Sequence, residues 1–387
     1  MSVFRSRRRL LPILLAILAL LGGASSALLG VCGPFSDVTD ASFCPFVLEI
    51  FTLGITTGTS PTTYDPGTAV TRLQMSAFLS RTVDRTLQRL QLRSTLRQFW
   101  TPQTVGSLGV TTLGTLPIFI ESDGTDLWVT TGNFVNGFVS RVRASDGKAL
   151  ATWTGADNCQ TVLVALGKVF VPAFTAPGKL YRIDPVQPAG AVTTVATVVG
   201  DHPIGIAFDG TKIWTANGNG TVSRLTPDNS TSFPVTTTPG FQSLKGILFD
   251  GANIWVTDYN AGTLLKLDAS GTVLKTVTVG TNPNYPGFDG TNIWVPNEAS
   301  NSVSVVRASS GTVLTTLTGN GLDMPAQAAF DGQRVLVTNQ NGNSVSLWKA
   351  ADLTSLGSFP VGTFPLGACS DGVDFWLAVL GGGVTRF

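Results

Sequence analysis

The sequence has few of the side chains that enzymes use most often for acid–base catalysis and metal binding. It contains three glutamates (Glu49, Glu121 and Glu298) and one histidine (His202), and 13% of its 387 residues are charged. Because general acids, general bases and metal ligands come mainly from these residue types, the composition argues against an enzyme and against a bound cofactor or metal. The net charge of +1 argues against a nucleic-acid partner.

Apolar runs long enough to span a membrane are also lacking. The run at residues 10–21 follows four arginines and leads into small residues that end at residue 27. This order is typical of a secretory signal peptide, and about twelve residues are too few to cross a hydrocarbon core of about 30 Å. We expect removal of residues 1–27 on export by the general secretory or twin-arginine route. The mature protein would have no transmembrane segment and would lie in the cell envelope, at the cell surface or outside the cell.

One ten-residue pattern recurs through most of the chain. FDGTNIWVPN (288–297) returns as FDGTKIWTAN (208–217), FDGANIWVTD (249–258) and FDGQRVLVTN (330–339), with weaker copies SDGTDLWVTT (122–131) and SDGVDFWLAV (370–379). The double gap between the copies at 122 and 208 holds a degenerate copy, LVALGKVFVPA (163–173), in which Leu166-Gly167 replaces Asp-Gly. Seven units of about 41 residues, rich in strand and turn residues, predict a mainly β fold. We expect a seven-bladed β-propeller over residues 104–387.

Each unit divides into four strands, which in the third unit are predicted at 204–208, 212–216, 221–225 and 233–237. Asp-Gly is predicted to form the two-residue turn between the first two strands, because both central positions of such a turn tolerate a positive φ. One position of the second strand is always large and apolar, which predicts packing between blades. Its occupants are Trp128, Trp214, Trp255, Trp294, Trp376, Leu336 and, if that turn is one residue shorter, Phe170.

The Phe-Asp-Gly-x-x-Ile-Trp-Val-x-Asn pattern, with Asn-Ser-Val-Ser at 301–304 and 343–346, resembles the YVTN and NHL-like secreted propellers. Those propellers include lyases, lactonases and binding scaffolds, so the resemblance implies a fold rather than one activity. The family enzymes use His/Glu pairs or a metal at one mouth of the channel. Here His202 and Glu298 fall in blades three and five. We therefore expect no enzymatic activity, with a lyase or lactonase of the virginiamycin-B-lyase or gluconolactonase type as the alternative.

The loops that join second and third strands share one face of the predicted propeller with the loops between blades. They are rich in Asn and Gly, which turns require whatever their function. The alternative is a polar ring that binds a carbohydrate or a protein loop, with Tyr259 as its aromatic contact. The candidate binding residues on this face are Asn217, Asp258, Tyr259, Asn297, Glu298 and Asn339.

Residues 28–83 predict a helix, a loop and a second helix. The first helix is expected to begin near residues 41–42 and to present Phe43, Phe46, Val47, Ile50 and Phe51 at helical spacing; the second is expected to begin at Thr71. Four landmarks occur in order: Phe35-Ser36-Asp37-Val38, Leu53-Gly54-Ile55-Thr56-Thr57-Gly58, Tyr64-Asp65-Pro66 and Val70-Thr71-Arg72-Leu73-Gln74.

These landmarks resemble one S-layer homology module, a small α-helical module with a Thr-Arg-Ala-Glu motif where this chain has Thr71 to Gln74. The resemblance implies binding to cell-wall polysaccharide or another envelope component, with Thr71 and Arg72 at the binding site. Gln74 replaces the motif glutamate, and the family usually carries three modules where this chain has one. Packing or dimerisation of the module is therefore the alternative.

Residues 84–103 are predicted to continue the second helix as a basic connector. Arginines recur every four residues, so they form one stripe on a helix. The connector is either a solvated spacer or an electropositive arm for acidic glycans or anionic lipid headgroups. The arginines are Arg81, Arg85, Arg89, Arg93 and Arg97.

Four cysteines in an exported chain permit disulfides. Cys32 and Cys44 flank the start of the N-terminal module and are close enough in sequence to close a short loop. Cys159 and Cys369 fall two blades apart at heights that differ by more than about 10 Å, which disulfide geometry does not allow. We expect the second two to be buried, unpaired thiols.

The last unit ends one strand short. Residues 105–113 resemble the outer strands in composition, and an unpaired sheet edge is normally covered. We expect this segment to pair beside residues 382–387 and to complete the seventh blade. The sequence thus predicts an exported, envelope-associated binding or scaffold protein, with a wall-binding module at residues 28–83 and a propeller that presents a binding face.

Overall fold

The computed structural model describes residues 116–387 except 133–136, 145–146, 229, 373 and 382, together with residue 113 and, before it, residues 35–39, 44–52, 56, 59–60, 62–70, 75 and 79. The chain divides into two compact units, Met1–Trp100 and Thr101–Phe387. Within the described residues, no helix has the length and hydropathy needed to cross a membrane.

The second unit is a ring of seven antiparallel sheets, which confirms the predicted mainly β, seven-bladed propeller. Blade one comprises β1 (Pro117–Ser122), β2 (Asp126–Thr131), β3 (Phe138–Arg143) and β4 (Ala149–Thr154). Blade two comprises β5 (Leu163–Ala165), β6 (Lys168–Ala173), β7 (Lys179–Ile183) and β8 (Thr193–Ala196). Blade three comprises β9 (Pro203–Phe208), β10 (Ile213–Asn217), β11 (Thr221–Leu225) and β12 (Val235–Pro239), each within two residues of the predicted bounds.

Blade four comprises β13 (Leu244–Phe249), β14 (Ile254–Asp258), β15 (Thr263–Leu267) and β16 (Val273–Thr278). Blade five comprises β17 (Gly287–Phe288), β18 (Asn292–Asn297), β19 (Ser302–Arg307) and β20 (Thr312–Thr318). Blade six comprises β21 (Pro325–Phe330), β22 (Arg334–Asn339), β23 (Ser344–Lys349) and β24 (Ser355–Pro360). Within the described residues, blade seven has three strands, β25 (Pro365–Ser370), β26 (Phe375–Val379) and β27 (Gly383–Arg386).

The aspartate of the repeated Asp-Gly pair and the tryptophan five residues later form one hydrogen-bonded unit. In blade four, one carboxylate oxygen of Asp250 accepts from the backbone N–H groups of Ala252 and Asn253, and the other accepts from the indole N–H of Trp255 at 2.7 Å. The same indole bond recurs in blades one, three, five and seven. A buried indole N–H without a partner would be costly, so each tryptophan at this position has its aspartate. In blade six Leu336 replaces the tryptophan, and the Asp331 carboxylate accepts from the Arg334 guanidinium at 2.7 Å instead.

The prediction that Asp and Gly are the two central residues of the turn is wrong by one position. Within these Asp-Gly pairs only the glycine has a positive φ, as at Gly251 with 95°. Asp250 itself pairs across the turn, because its backbone N–H donates to the carbonyl of Asn253 at 3.1 Å. The central residues are therefore Gly251 and Ala252. Asp is required at the preceding position for its side chain, not for its φ.

Blade two keeps the turn but has neither partner of this unit. Ala165 pairs with Lys168 across the turn, and Leu166 and Gly167 between them have φ values of 55° and 68°. Ala165 thus occupies the aspartate position, and Phe170 follows it by the usual five residues. The predicted one-residue shortening of this turn is wrong. The carboxylate acceptor and the indole donor are absent together.

The large side chain on the second strand packs between blades, as predicted. Trp214 of blade three lies in one core cluster with Ile247 and Val256 of blade four. Trp294 of blade five is clustered in the same way with Val335 of blade six. The ring is therefore held by successive apolar interfaces.

Basic side chains on third strands form hydrogen bonds between successive blades. The guanidinium of Arg224 lies 5.6 Å from the ring centre of Trp214 and donates to the carbonyl of Ala269 in blade four at 3.3 Å. Blades one, two and four form the same kind of hydrogen bond to a backbone carbonyl of the next blade through Arg141, Arg182 and Lys266. In blades five and six, Val305 and Leu347 occupy this position.

In the first unit, the described residues include helix α1 (Cys44–Thr52). Phe35 is fully buried against Val47 and Phe51, and the Asp37 carboxylate accepts backbone N–H groups from Tyr64 and Asp65, which hold its pKa below the usual range. The first and third landmarks are therefore in contact. Of the apolar residues at helical spacing, Val47 is buried, whereas Phe46 is 64% exposed.

Several predictions concern residues outside the described part of the chain. These are the glycan contacts at Thr71 and Arg72, the signal peptide (1–27), the basic connector (84–103) and pairing by residues 105–112. Cys32 also lies there, whereas Cys44 is disulfide-bonded. Cys159 and Cys369 are buried and free, as predicted.

Candidate functional site

The innermost strands of the blades surround a central channel with two different ends. Each innermost strand starts beside the loop between the second and third strands, as shown by the pairing of Pro203 with Asn217. It ends at the Asp-Gly turn, as Phe208 does before Asp209. We call the first end the loop mouth and the second the turn mouth.

Four of the predicted binding residues use their side chains to shape the loops of the loop mouth. The amide of Asn217 donates to the hydroxyls of Thr221 and Ser223, both at 2.9 Å. The asparagines of blades five and six donate to serines in the same way, and the aspartate of blade four accepts from three backbone N–H groups. The structure therefore gives an architectural role to four buried residues: Asn217, Asp258, Asn297 and Asn339.

The other two predicted residues, Tyr259 and Glu298, meet at the loop mouth with Lys245 and Asn284. One carboxylate oxygen of Glu298 accepts from Lys245 Nζ at 3.1 Å and from Asn284 Nδ2 at 2.9 Å. The other accepts from the Tyr259 hydroxyl at 3.2 Å. The Lys245 ammonium also lies 4.3 Å from the centre of the Tyr259 ring. We refer to these four residues as the mouth cluster.

The ends of strands in blades four and five position the mouth cluster. Lys245 is the second residue of β13, and Tyr259 and Glu298 follow directly after β14 and β18. The backbone N–H of Tyr259 donates to the carbonyl of Ser243, and that of Glu298 to the carbonyl of Asn282. These bonds fix where each side chain leaves the backbone, so residues far apart in the sequence converge.

The mouth cluster is partly withdrawn from water. The side chains of Lys245 and Glu298 are 24% and 16% exposed. Burial lowers the pKa of Lys245, although the Glu298 carboxylate opposes that fall; burial and the same carboxylate raise the pKa of Tyr259. Asn284 Oδ1 is buried without a hydrogen-bond partner. The cluster thus presents an ion pair and a phenol, groups that bind hydroxyls and amides well, while the fully buried Asn284 supports the Glu298 carboxylate from within.

Two aromatic rings close the channel below the mouth cluster. Phe119 of blade one and Tyr285 of blade five meet edge to face, with ring centres 4.7 Å apart. At the same position, blades three, four and seven carry glycine. A Cβ on Gly246 would lie 2.4 Å from Pro286 of the next blade, so glycine allows the strands to approach each other closely. The rings of Phe119 and Tyr285 then fill the space between these strands.

His202, the one histidine, occupies a structural position. It precedes Pro203 with a φ of 55°, its carbonyl accepts from the N–H of Gly218 at 2.8 Å, and its ring packs against Phe174. Five other blades also have a non-glycine residue of positive φ directly before the first residue that pairs with the second strand: Leu116, Asn158, Asn282, Met324 and Phe364. The local backbone explains the position without a catalytic role. Among the described residues, no three His, Cys, Asp or Glu side chains are grouped to hold a metal ion.

The sequence interpretation did not identify Lys245, Asn284 or the ring pair of Phe119 and Tyr285. The sequence contained a signal for two of these residues, Lys245 and Tyr285. Lys245 is a charged residue in a strand that is otherwise apolar, and Tyr285 replaces the glycine found when NPNYPGFDG is aligned with the units around Gly205 and Gly246. Both residues differ from those at the equivalent positions of the other units.

Fold and site together define a seven-bladed β-propeller with a polar cluster at one mouth of a closed channel. A catalytically inactive virginiamycin B lyase from Staphylococcus aureus, solved with quinupristin, is similar to this chain with a TM-score of 0.60 and 19% identity over 73% of this chain and 98% of that chain. A streptogramin B lyase gives 0.59 and 16% over 73% and 96%. The WD40 propeller domain of Doa1 gives 0.57 and 12% over 72% and 93%.

At these identities the similarity shows the fold alone. Enzymes and a WD40 domain match comparably well, so fold similarity does not separate catalysis from binding. No protein-family model and no curated protein sequence matches the chain.

Proposed function

We propose that this is an exported binding protein of the cell envelope. Its N-terminal module contacts cell-wall polysaccharide or another envelope component through Thr71 and Arg72, and its propeller binds a carbohydrate or protein ligand at the loop mouth. The observation that carries the propeller part is the mouth cluster, in which Lys245, Glu298 and Tyr259 form a partly dry polar surface. The signal-peptide pattern and the four landmarks support the envelope part.

Binding is favoured over the lyase or lactonase alternative by the contacts of the candidate catalytic groups. Glu298 is engaged by three donors at once, whereas a general base needs an oxygen directed at the substrate. His202 lies in blade three and packs against Phe174, so it is not paired with Glu298. The similarity to lyases supports the alternative only through a shared fold.

We expect Arg72→Ala in the full-length protein to weaken co-sedimentation with purified cell-wall polysaccharide by about ten-fold, because a hydrogen bond to a charged group contributes roughly 1.5–3 kcal/mol. If the same polysaccharide is also the ligand of the propeller, Tyr259→Phe, which removes one hydroxyl, should weaken sedimentation less, by about two- to five-fold. Arg143→Ala, on the exposed end of β3, is the matched control for loss of an arginine. Unchanged sedimentation of the Arg72 variant would remove this residue from the site and favour a packing role for the module.

A further inference from the structure

The half of the channel next to the turn mouth contains a cavity of ≈ 460 Å³. Its walls are the C-terminal halves of the innermost strands, and Phe119 and Tyr285 lie at its inner end. No residue of the mouth cluster lines it. The ring pair therefore separates two sites in one channel. Small-molecule sites commonly have volumes of about 300–1,000 Å³, so the cavity is large enough for a ligand.

Aromatic rings line one side of this cavity and polar groups the other. In blades three to six the innermost strand ends in phenylalanine, the first residue of each Phe-Asp-Gly motif, and in blade seven it ends in serine. Blade one contributes a glutamate. Blades three to six form one arc of the ring, and blades seven and one form a second arc that lies opposite blades three to five, so most of the aromatic surface faces the polar one. We call these residues the collar: Phe208, Phe249, Phe288, Phe330, Ser370 and Glu121.

Glu121 is the one charged side chain among the described residues that line the cavity. The backbone N–H of Ser122 donates to it, and burial raises the pKa of its carboxyl to about 7. No lysine, arginine or histidine among those lining residues faces it. A carboxylate in a partly dry site without a cation is unfavourable. A ligand that carries a cation would remove that cost.

We propose that the collar binds a small amphipathic ammonium ion, a primary amine with an apolar or aromatic body. The ammonium group pairs with the Glu121 carboxylate and the Ser370 hydroxyl. The apolar body lies against the four phenylalanine rings, whose faces also attract a cation. The phenylalanine of the repeated motif then has a role distinct from that of the aspartate: the aspartate holds each turn, and the phenylalanines provide the aromatic side of a site.

Calorimetric titration of the full-length protein tests this proposal, with benzylammonium and the neutral benzyl alcohol as probes at about pH 8, above the pKa of Glu121. Benzylammonium should bind at least ten-fold more tightly than benzyl alcohol. Glu121→Gln keeps the side-chain shape and should weaken benzylammonium by about ten-fold. Asp352→Asn, an equal charge change on an exposed loop, should leave binding unchanged.

A second variant, Phe288→Leu, tests the aromatic side and should weaken benzylammonium by about three-fold while thermal melting stays cooperative. Equal affinity for the two probes, or unchanged affinity in Glu121→Gln, would overturn the proposal. So would the absence of benzylammonium binding up to about 10 mM, a range in which weak binding is still measurable.

Discussion

Deletion of residues 101–114 is expected to lower the melting temperature of the propeller and to cause association between molecules. Leu113 is buried in one cluster with Ile120 of blade one and Val384 of blade seven, so the deletion removes part of the interface where the ring closes. Burial of one leucine contributes roughly 2–3 kcal/mol, which corresponds to a fall of about 3–5 °C for a domain of this size. Exposure of the β27 edge would add association, because an unpaired strand pairs readily with another chain.

Differential scanning calorimetry and sedimentation velocity measure the two effects. Deletion of residues 84–97 has the same length and leaves the predicted closing segment, 105–113, in place, so it is the matched control. If the 101–114 variant melts like this control and remains monomeric, the ring closes in another way. The prediction that residues 105–113 complete blade seven would then be wrong.

Glu121→Gln is expected to stabilise the protein above neutral pH and to have little effect in acid. The folded state raises the pKa of this carboxyl from 4.5 to about 7 through burial. An acid with a raised pKa keeps its proton more tightly when folded. The folded protein therefore loses stability as the pH rises from about 4.5 through about 7, where the unfolded chain ionises freely.

The shift sets an upper limit of roughly 3 kcal/mol on this loss. Glu121 keeps part of its surface in the cavity, where water enters, so we expect about 1–3 kcal/mol. Urea unfolding of both proteins at about pH 4 and about pH 8 measures it, with a stability difference only at the higher pH. A difference of equal size at both values would show that the substitution acts through packing, not through charge.

The sequence was sufficient to predict the ring because the repeat is local and periodic. Seven copies of one turn, with a large apolar residue at a fixed distance, determine the number of blades, the order of strands and the packing between blades. The free thiols at Cys159 and Cys369 followed from the same strand assignments. Each of these predictions depends on residues that are neighbours in the chain or occupy equivalent positions in adjacent units.

The turn chemistry was predicted only in part. Asp-Gly is a known hairpin signal, but the signal does not say which residue occupies which position. The carboxylate of Asp250 bonds to the indole of Trp255 five residues away, and this bond explains the spacing better than a backbone preference does. Blade two, where Ala165 and Phe170 replace both partners, contains the evidence for this pairing within the sequence itself.

The site could not be predicted from the same pattern, because its residues converge from different blades. Glu298 was selected as a candidate, yet its partner Lys245 lies in another blade and carries no motif. Phe119 and Tyr285 meet across the channel, a contact that no spacing within one unit encodes. Conversely, the conspicuous asparagines at the ends of the second strands proved to be buried, with side chains that hold the following loops. Residues that recur among the repeats thus have structural roles, whereas residues that differ from the repeat lie in the candidate site.

We propose that this propeller binds rather than catalyses, and an assay of turnover distinguishes the two functions. Purified protein would be incubated with a streptogramin B lyase substrate and a sugar lactone, with a divalent cation or with a chelator. We expect product formation no faster than in buffer under every condition. Turnover that a chelator abolishes, or that Glu298→Gln removes while the fold is retained, would contradict the account and establish the mouth cluster as a catalytic site.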